Sequence, residues 1–354
     1  MARRTARPAA RAHDGRRMMQ NPPAHAHDLR LNLFLLLLLT ALMLASLRIG
    51  YVVIPTNDLV AGAFGLADEP TVTIVQQLRM PRMLLAVLLG ASLGGAGAML
   101  QGILHNPLAE PGTLGITGAA SLGAVIAIYF GLMAIHPLLL PLCAMAGGAA
   151  ATALLLVAAR RRASTLTLIL TGVGIGGVSV ALTSLAMNLS PNPWAVSEIA
   201  MWLLGSVRDR TFAEVWLAAP FILAGMAMLL AAAPALNSLS LGEEAARSLG
   251  LDVQRTRWLA ITGTSLAVGA GVAVAGSVGF VGLMVPHLLR PLVDHVPSRL
   301  VLPSMLGGAA LVLAADILIR LIAVGPELQL GVLTSLIGTP FFLYLVHHLR
   351  KAMT

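Results

Sequence analysis

Residues 83–103 read MLLAVLLGASLGGAGAMLQGI, without one charged side chain. Wound as an α-helix at 1.5 Å per residue, that run is about 30 Å long, the thickness of a bilayer's hydrocarbon layer. Working outward, apolar runs bounded by charge, Pro or Gly fall at about 31–54, 83–103, 113–133, 136–158, 164–188, 212–233, 256–275, 278–294, 300–322 and 330–349, ten in all. The rest of the composition agrees: 57% of the 354 residues are apolar, 11% are charged and the mean hydropathy is +0.86, against about 25% charged in an average globular chain. Length alone suggests about two soluble domains, but one helical membrane domain accounts for this composition better. The expected fold is an all-α membrane protein with about ten transmembrane helices. The first run exceeds a signal-peptide core, has no A-x-A site at its end and is followed by more spans, so it reads as a retained helix. A Gly-rich break at 276–282 leaves open whether runs seven and eight are one broken element.

The formal net charge is +8, and seven arginines against Asp14 and Asp28 place five of those charges in residues 1–30. Without an aromatic residue to stack on bases, that stretch reads as a disordered cytoplasmic tail that helps set topology, not as a nucleic-acid arm. Counting Lys and Arg on alternate loops gives 17 on one side and six on the other. By the positive-inside rule both termini are then cytoplasmic. Cys143 stands alone, so no disulfide framework or cysteine metal site is available.

The longest inner loop, about 234–255, is PALNSLSLGEEAARSLGLDVQR. Glu243 to Arg247 are helix formers; Ser240 stands three residues before Glu243 as a capping box, and Gly250 follows as a stop. Such a helix is either a solvated connector or a docking element for a cytoplasmic partner, and physics alone does not choose.

Several motifs invite a chemical reading that their context opposes. Gly90 to Gly94 spells G-x-S-x-G, but inside a continuous apolar helix, where two glycines four apart favour close helix packing. Gly172, Gly174 and Gly177 spell G-x-G-x-x-G without a strand, and packing is again expected. There is no G-x-x-x-x-G-K-[ST], hence no P-loop, and the nine histidines are too dispersed to form a metal site. Asp316 and Arg320, at i and i+4 within an apolar run, read first as a local ion pair.

Five blocks in order carry a resemblance: LRMPRMLLAVLLGASLGGAGAMLQGILHNPLAEPGTLGITGAA at 78–120, MWLLGS at 201–206, LSLGEEAARSLGL at 239–251, GSVGFVGLMVPHLLR at 276–290 and ELQLGVLTSLIGTPFFLYL at 327–345. The chain from about residue 31 onward resembles the iron-siderophore, haem and vitamin B12 permeases of type II ABC importers. The resemblance implies a ten-helix permease domain over 31–354 in the bacterial inner membrane, paired with a second copy or a close homologue. It further implies a cytoplasmic ATPase dimer, which would hold the ATP and Mg while this chain carries no cofactor and no enzyme activity, and a periplasmic substrate-binding protein. Residue by residue, Leu241, Gly242, Glu243, Glu244, Ala245, Arg247 and Gly250 match the ATPase-coupling segment, Ser164 and Thr165 the cytoplasmic gate, and Arg79, Arg82 and Arg320 the arginines that meet the binding protein.

Three positions depart from that pattern. Gln329 replaces the usual Pro before the last run, Asp294-His295 comes two residues early, and Leu166 stands where the gate has a second polar residue. The leading expectation is import of an iron complex, with cobalamin and haem as rivals. From other classes come an intramembrane enzyme built on His287, Asp316 and Arg320, and an ion-coupled secondary transporter, which would need internal repeats or acid-bearing broken helices.

Overall fold

The computed structural model describes residues 24–159, 165–190, 192–322 and 327–353, which form helices and turns without a strand. In chain order the helices are α1 (Ala24–Arg48), α2 (Thr56–Ala63), α3 (Glu69–Val72), α4 (Met80–Ile103), α5 (Ile116–Tyr129), α6 (Leu139–Ala158), α7 (Thr165–Asn188) and α8 (Pro193–Leu203). They continue as α9 (Phe212–Ala232), α10 (Ala235–Leu239), α11 (Glu243–Ser248), α12 (Val253–Ala275), α13 (Val281–Leu289), α14 (Pro297–Ile322) and α15 (Leu330–Met353). Among the described residues seven helical stretches are long and apolar enough to cross a membrane, and three shorter apolar ones lie at Ile116–Tyr129, Val281–Val293 and Leu330–Leu345. Each of the ten runs in the sequence falls on one of these stretches.

The hub is α4, the most enclosed of the long helices, reached through a π-helical stretch at Thr73–Arg79. Its small-residue face explains why. A Cβ at Gly90 would overlap Gly308 O, one at Gly94 would overlap Ser304 O, and one at Gly97 would overlap Gly282 O. The main chains of α4, α14 and α13 therefore touch, as small-residue membrane packing allows. Of the second glycine motif only Gly172 packs in this way, against Thr113 and Leu114; an added Cβ at Gly174 or Gly177 meets nothing within 4 Å. Those two face the open side of α7, where Val173, Val178 and Val180 are exposed as well.

Further expectations change. α1 starts at Ala24, so the end of the expected disordered tail is helical, and Asp28 in its second turn pairs with Arg299 of α14 at 3.2 Å; residues 1–23 lie outside the described residues. Runs seven and eight are separate helices, because α12 stops at Ala275, Gly276 takes φ 73° and the chain turns before α13. Ser240 does not cap α11. The N-cap is Gly242, at φ 97°, so Ser240 comes two residues early and its hydroxyl donates to Asn237 O at 2.7 Å instead. Gln329 stands just before α15, its carbonyl accepting from the amides of Val332 and Leu333.

Candidate functional site

At the end of the bundle where α1 and α14 finish, three arginines gather. Arg79 is 7% exposed. It donates from Nη1 to Leu47 O at 2.6 Å and Arg48 O at 3.3 Å, and from Nη2 to Val52 O. Arg320 donates to Ser46 O at 2.8 Å and Ile49 O at 2.7 Å, and to Ser46 Oγ at 2.6 Å. Both therefore satisfy carbonyls at and beyond the C-terminus of α1, whose last turn has no helical donors and carries the negative end of the helix dipole.

Carboxylates tie the cluster together. Asp316, 1% exposed, receives Arg82 Nε on Oδ1 at 2.9 Å and faces Arg320 Nη2 with Oδ2 at 3.0 Å. The expected i, i+4 pair is present, with Arg82 as an unforeseen second partner. Arg82 also grips Glu327 with both terminal nitrogens, at 3.3 and 2.9 Å, the fork geometry that makes arginine–carboxylate bonds strong. Burial alone would raise the Glu327 carboxyl, but the bonded Arg82 outweighs it and holds the group below the usual carboxylate range. Together with Tyr51, Arg208, Asp209 and Arg210, the three arginines and Glu327 line a cleft of about 370 Å³. Its exposed cation is Arg208, 48% exposed beside Asp209 at 3.0 Å. Arg210 is pushed below its ordinary value by burial, in spite of Glu214 and Asp209 nearby.

At the opposite end, α10 and α11 form a compact loop beside the starts of α12 and α14. Ala246 is buried and Glu243 reaches both Arg247, at 3.5 Å, and the buried Arg257 of α12. The outward side is different. Glu244, Ala245, Arg247 and Gly250 are exposed, and Leu241 and Leu249 show 66% and 67% of their surface. Gly242 and Gly250 take φ 97° and 84°, and an added Cβ at either meets nothing within 4 Å. Of the gate pair, Ser164 lies outside the described residues; Thr165 opens α7 half-buried, followed by Leu166 at 62% exposure.

Between the two ends lies a cavity of about 670 Å³, walled by Leu203, Leu204, Ser277, Gly279, Ser335 and Thr339 among others, with no charged side chain in its lining. The two most distinctive sequence blocks meet next to it: Glu110 of NPLAEP accepts the Phe280 N–H at the start of α13, and Pro111 lies against Gly282. Burial raises the Glu110 carboxyl although that amide lowers it. His287 packs edge-on against Phe341 of α15, with ring centroids 5.8 Å apart, whereas Asp316 and Arg320 are tied to Arg82 and α1. The polar centre that an intramembrane enzyme would need is thus divided between two places. Among the described residues, no three His, Cys, Asp or Glu side chains come together as a metal site.

Comparison with known proteins follows the same lines. The family model of the FecCD transport family matches residues 37–348. The Fe(3+)-citrate import system permease protein YfmE of Bacillus subtilis is 38% identical over 89% of this chain and 93% of its own length. The vitamin B12 import system permease protein BtuC of Klebsiella pneumoniae is 37% identical over 88% of this chain and 92% of its own. A solved structure described as an inward-facing conformation of a metal-chelate type ABC transporter superposes with a TM-score of 0.79 at 32% identity, covering 90% of this chain and 99% of that one. The chain belongs to the FecCD transport family: it is a permease subunit of an ABC importer, set in the bacterial inner membrane by several spans.

Proposed function

We propose that this permease moves an iron chelate of the siderophore type inward across the membrane, as a pair of identical or closely related copies, driven by ATP hydrolysis on a separate ATPase dimer. The observation that carries the reading is the α10–α11 loop. A soluble connector has no reason to expose two leucines around a six-residue helix, whereas a docking surface does. The chain has no P-loop of its own, so that surface is the place for the ATPase, with Leu241 to Ala245, Arg247 and Gly250 as its coupling segment.

In this reading the ten apolar stretches are ten spans with both termini cytoplasmic, which puts α10 and α11 on the ATPase side and the arginine cleft outside. Ser164 and Thr165 then stand at the inner gate. The open face of α7 and the part of α15 that exposes Leu336, Ile337, Leu343 and Tyr344 meet the second copy, and the uncharged 670 Å³ cavity becomes part of a path between them that suits a bulky chelate. A periplasmic binding protein seats over the cleft. Because Arg79, Arg82 and Arg320 are held by internal partners, they act there through the field of the cleft more than by gripping carboxylates themselves, and such charges chiefly set association rate and salt dependence. Cobalamin is the second reading, favoured by the similarity to BtuC.

Valine at Gly242 or Gly250 tests the coupling role. Gly250 has a positive φ that costs a β-branched residue about 1–2 kcal/mol. Gly242, at φ 97° and ψ 154°, stands in an extended region that only glycine readily occupies, where the cost is about 1–3 kcal/mol. At either position the added Cβ meets nothing of the fold within 4 Å. Insertion and size-exclusion behaviour should be unchanged while the ATPase no longer copurifies and ATP-dependent uptake falls about tenfold or more. Normal ATPase retention with full uptake in both variants would refute the assignment.

A further inference from the structure

α13 carries Pro286 in its interior. Proline has no N–H to return to the carbonyl four residues earlier, so Gly282 O lacks its helical partner. In a membrane-buried core an unmet carbonyl is costly, and here a side chain of α4 meets it. Gln101, 3% exposed, donates from Nε2 to Gly282 O at 3.3 Å and shares that amide with Leu283 O at 3.4 Å. Gly97, one turn earlier on α4, makes room for the approach, since any Cβ there would overlap Gly282 O. The same amide's Oε1 accepts from Arg290 Nη2 at 2.6 Å, Arg290 standing just past the last residue of α13. One side chain thus holds both the proline break and the end of α13.

The final turn of α4 also seats the coupling loop. Leu236 of α10 packs onto Gly102, where a Cβ would lie 2.9 Å from Leu236 Cδ1, and a ring nitrogen of His105 bonds Leu239 O at 2.9 Å. Gln101, His105, Ser240 and Arg290 share the walls of a cavity of about 280 Å³. Ahead of α13, Ser277 and Gly279 wall the larger cavity, and Phe280 presses on Gly338 of α15.

We infer that Gln101, with Arg290, is a positioning residue that locks α13 to the end of α4 bearing the α10–α11 loop, so that displacement of the loop is carried to the Ser277–Phe280 turn at the cavity wall. The inference rests on the ATPase docking at α10–α11. A proline-broken helix held by its own backbone alone would not need a buried amide bonded at three points, and a merely space-filling residue here would be apolar.

A cysteine at Gly279 reports on the turn, because an added Cβ there meets nothing within 4 Å and the residue lines the cavity. In a Cys143→Ala background, the assembled transporter in nanodiscs is treated with a thiol reagent, without nucleotide and with ATP trapped. The parent should change its labelling rate about fivefold or more between the two states, and Gln101→Leu should reduce that change to below about twofold with the ATPase still bound. Arg290→Met should reduce it as well, Arg290→Lys should restore it by returning a cationic donor, and Gln101→Leu combined with Arg290→Met should be no worse than Gln101→Leu alone. If Gln101→Leu does not assemble, the two Arg290 variants carry the test. An undiminished change in Gln101→Leu or in Arg290→Met, or no nucleotide-dependent change in the parent, overturns the inference. A parent that retains no ATPase refutes the docking reading instead.

Discussion

Asp316→Ala should cost about 3–5 kcal/mol of stability, because it leaves buried arginines without the carboxylate between them. Asp316 is 1% exposed; its Oδ1 accepts a hydrogen bond from Arg82, and its Oδ2 forms an ion pair with Arg320 at 3.0 Å. Arg82 keeps Glu327, and Arg320 keeps the carbonyls of Ser46 and Ile49, so the cluster is weakened without being dismantled. The loss belongs to the orphaned charge more than to the pair. Asp316→Leu combined with Arg320→Met should therefore be less destabilising than the sum of its single changes, since replacing both partners by apolar groups removes the unpaired guanidinium. Melting of the purified permease in detergent reads the difference. An unchanged melting temperature in Asp316→Ala would mean that the network contributes nothing.

Gly94→Leu should abolish the folded protein. A single Cβ at Gly94 already overlaps Ser304 O, and one at Gly308 overlaps Gly90 O, so α4 and α14 approach each other reciprocally, main chain against main chain. A rigid carbonyl cannot swing aside as a side chain tip can, so the helices must separate and lose the contacts along the seam. Gly94→Ala should be strongly destabilising too. Gly269→Ala on α12 is the matched control: that glycine is also buried, but an added Cβ meets nothing within 4 Å, and alanine favours a helix over glycine by about 1 kcal/mol. Monodisperse yield after detergent extraction should therefore be lost for Gly94→Leu and kept for Gly269→Ala. Equal yields would contradict the packing account.

Local order explains what the sequence disclosed and what it withheld. Apolar runs, the Gly90–Gly94 face and the Asp316–Arg320 pair are set by spacings of one helical turn or one span, and such spacings can be read along the chain. Partners across the bundle cannot. Arg82 finds Asp316 from 234 positions away, and nothing in LRMPR says that Arg79 will turn back to the end of α1. For the same reason Gly172 packs while Gly174 and Gly177, in the same motif, face away from the rest of the chain. Ser240 shows a finer failure, in which the capping residues are present but the helix starts two positions later than their spacing implies. Gln101 does carry a local signal: it is an amide inside an apolar run, and Pro286 inside another announces an orphan carbonyl in the core.

Reconstitution decides the central claim. The permease is placed in liposomes with its own ATPase, ATP is enclosed on the α10–α11 side, and the binding protein loaded with a radiolabelled iron chelate is added outside. The account predicts accumulation of label against its gradient that needs both partners and stops when ATP is replaced by a non-hydrolysable analogue. Accumulation by this chain alone, without ATPase or nucleotide, would contradict it.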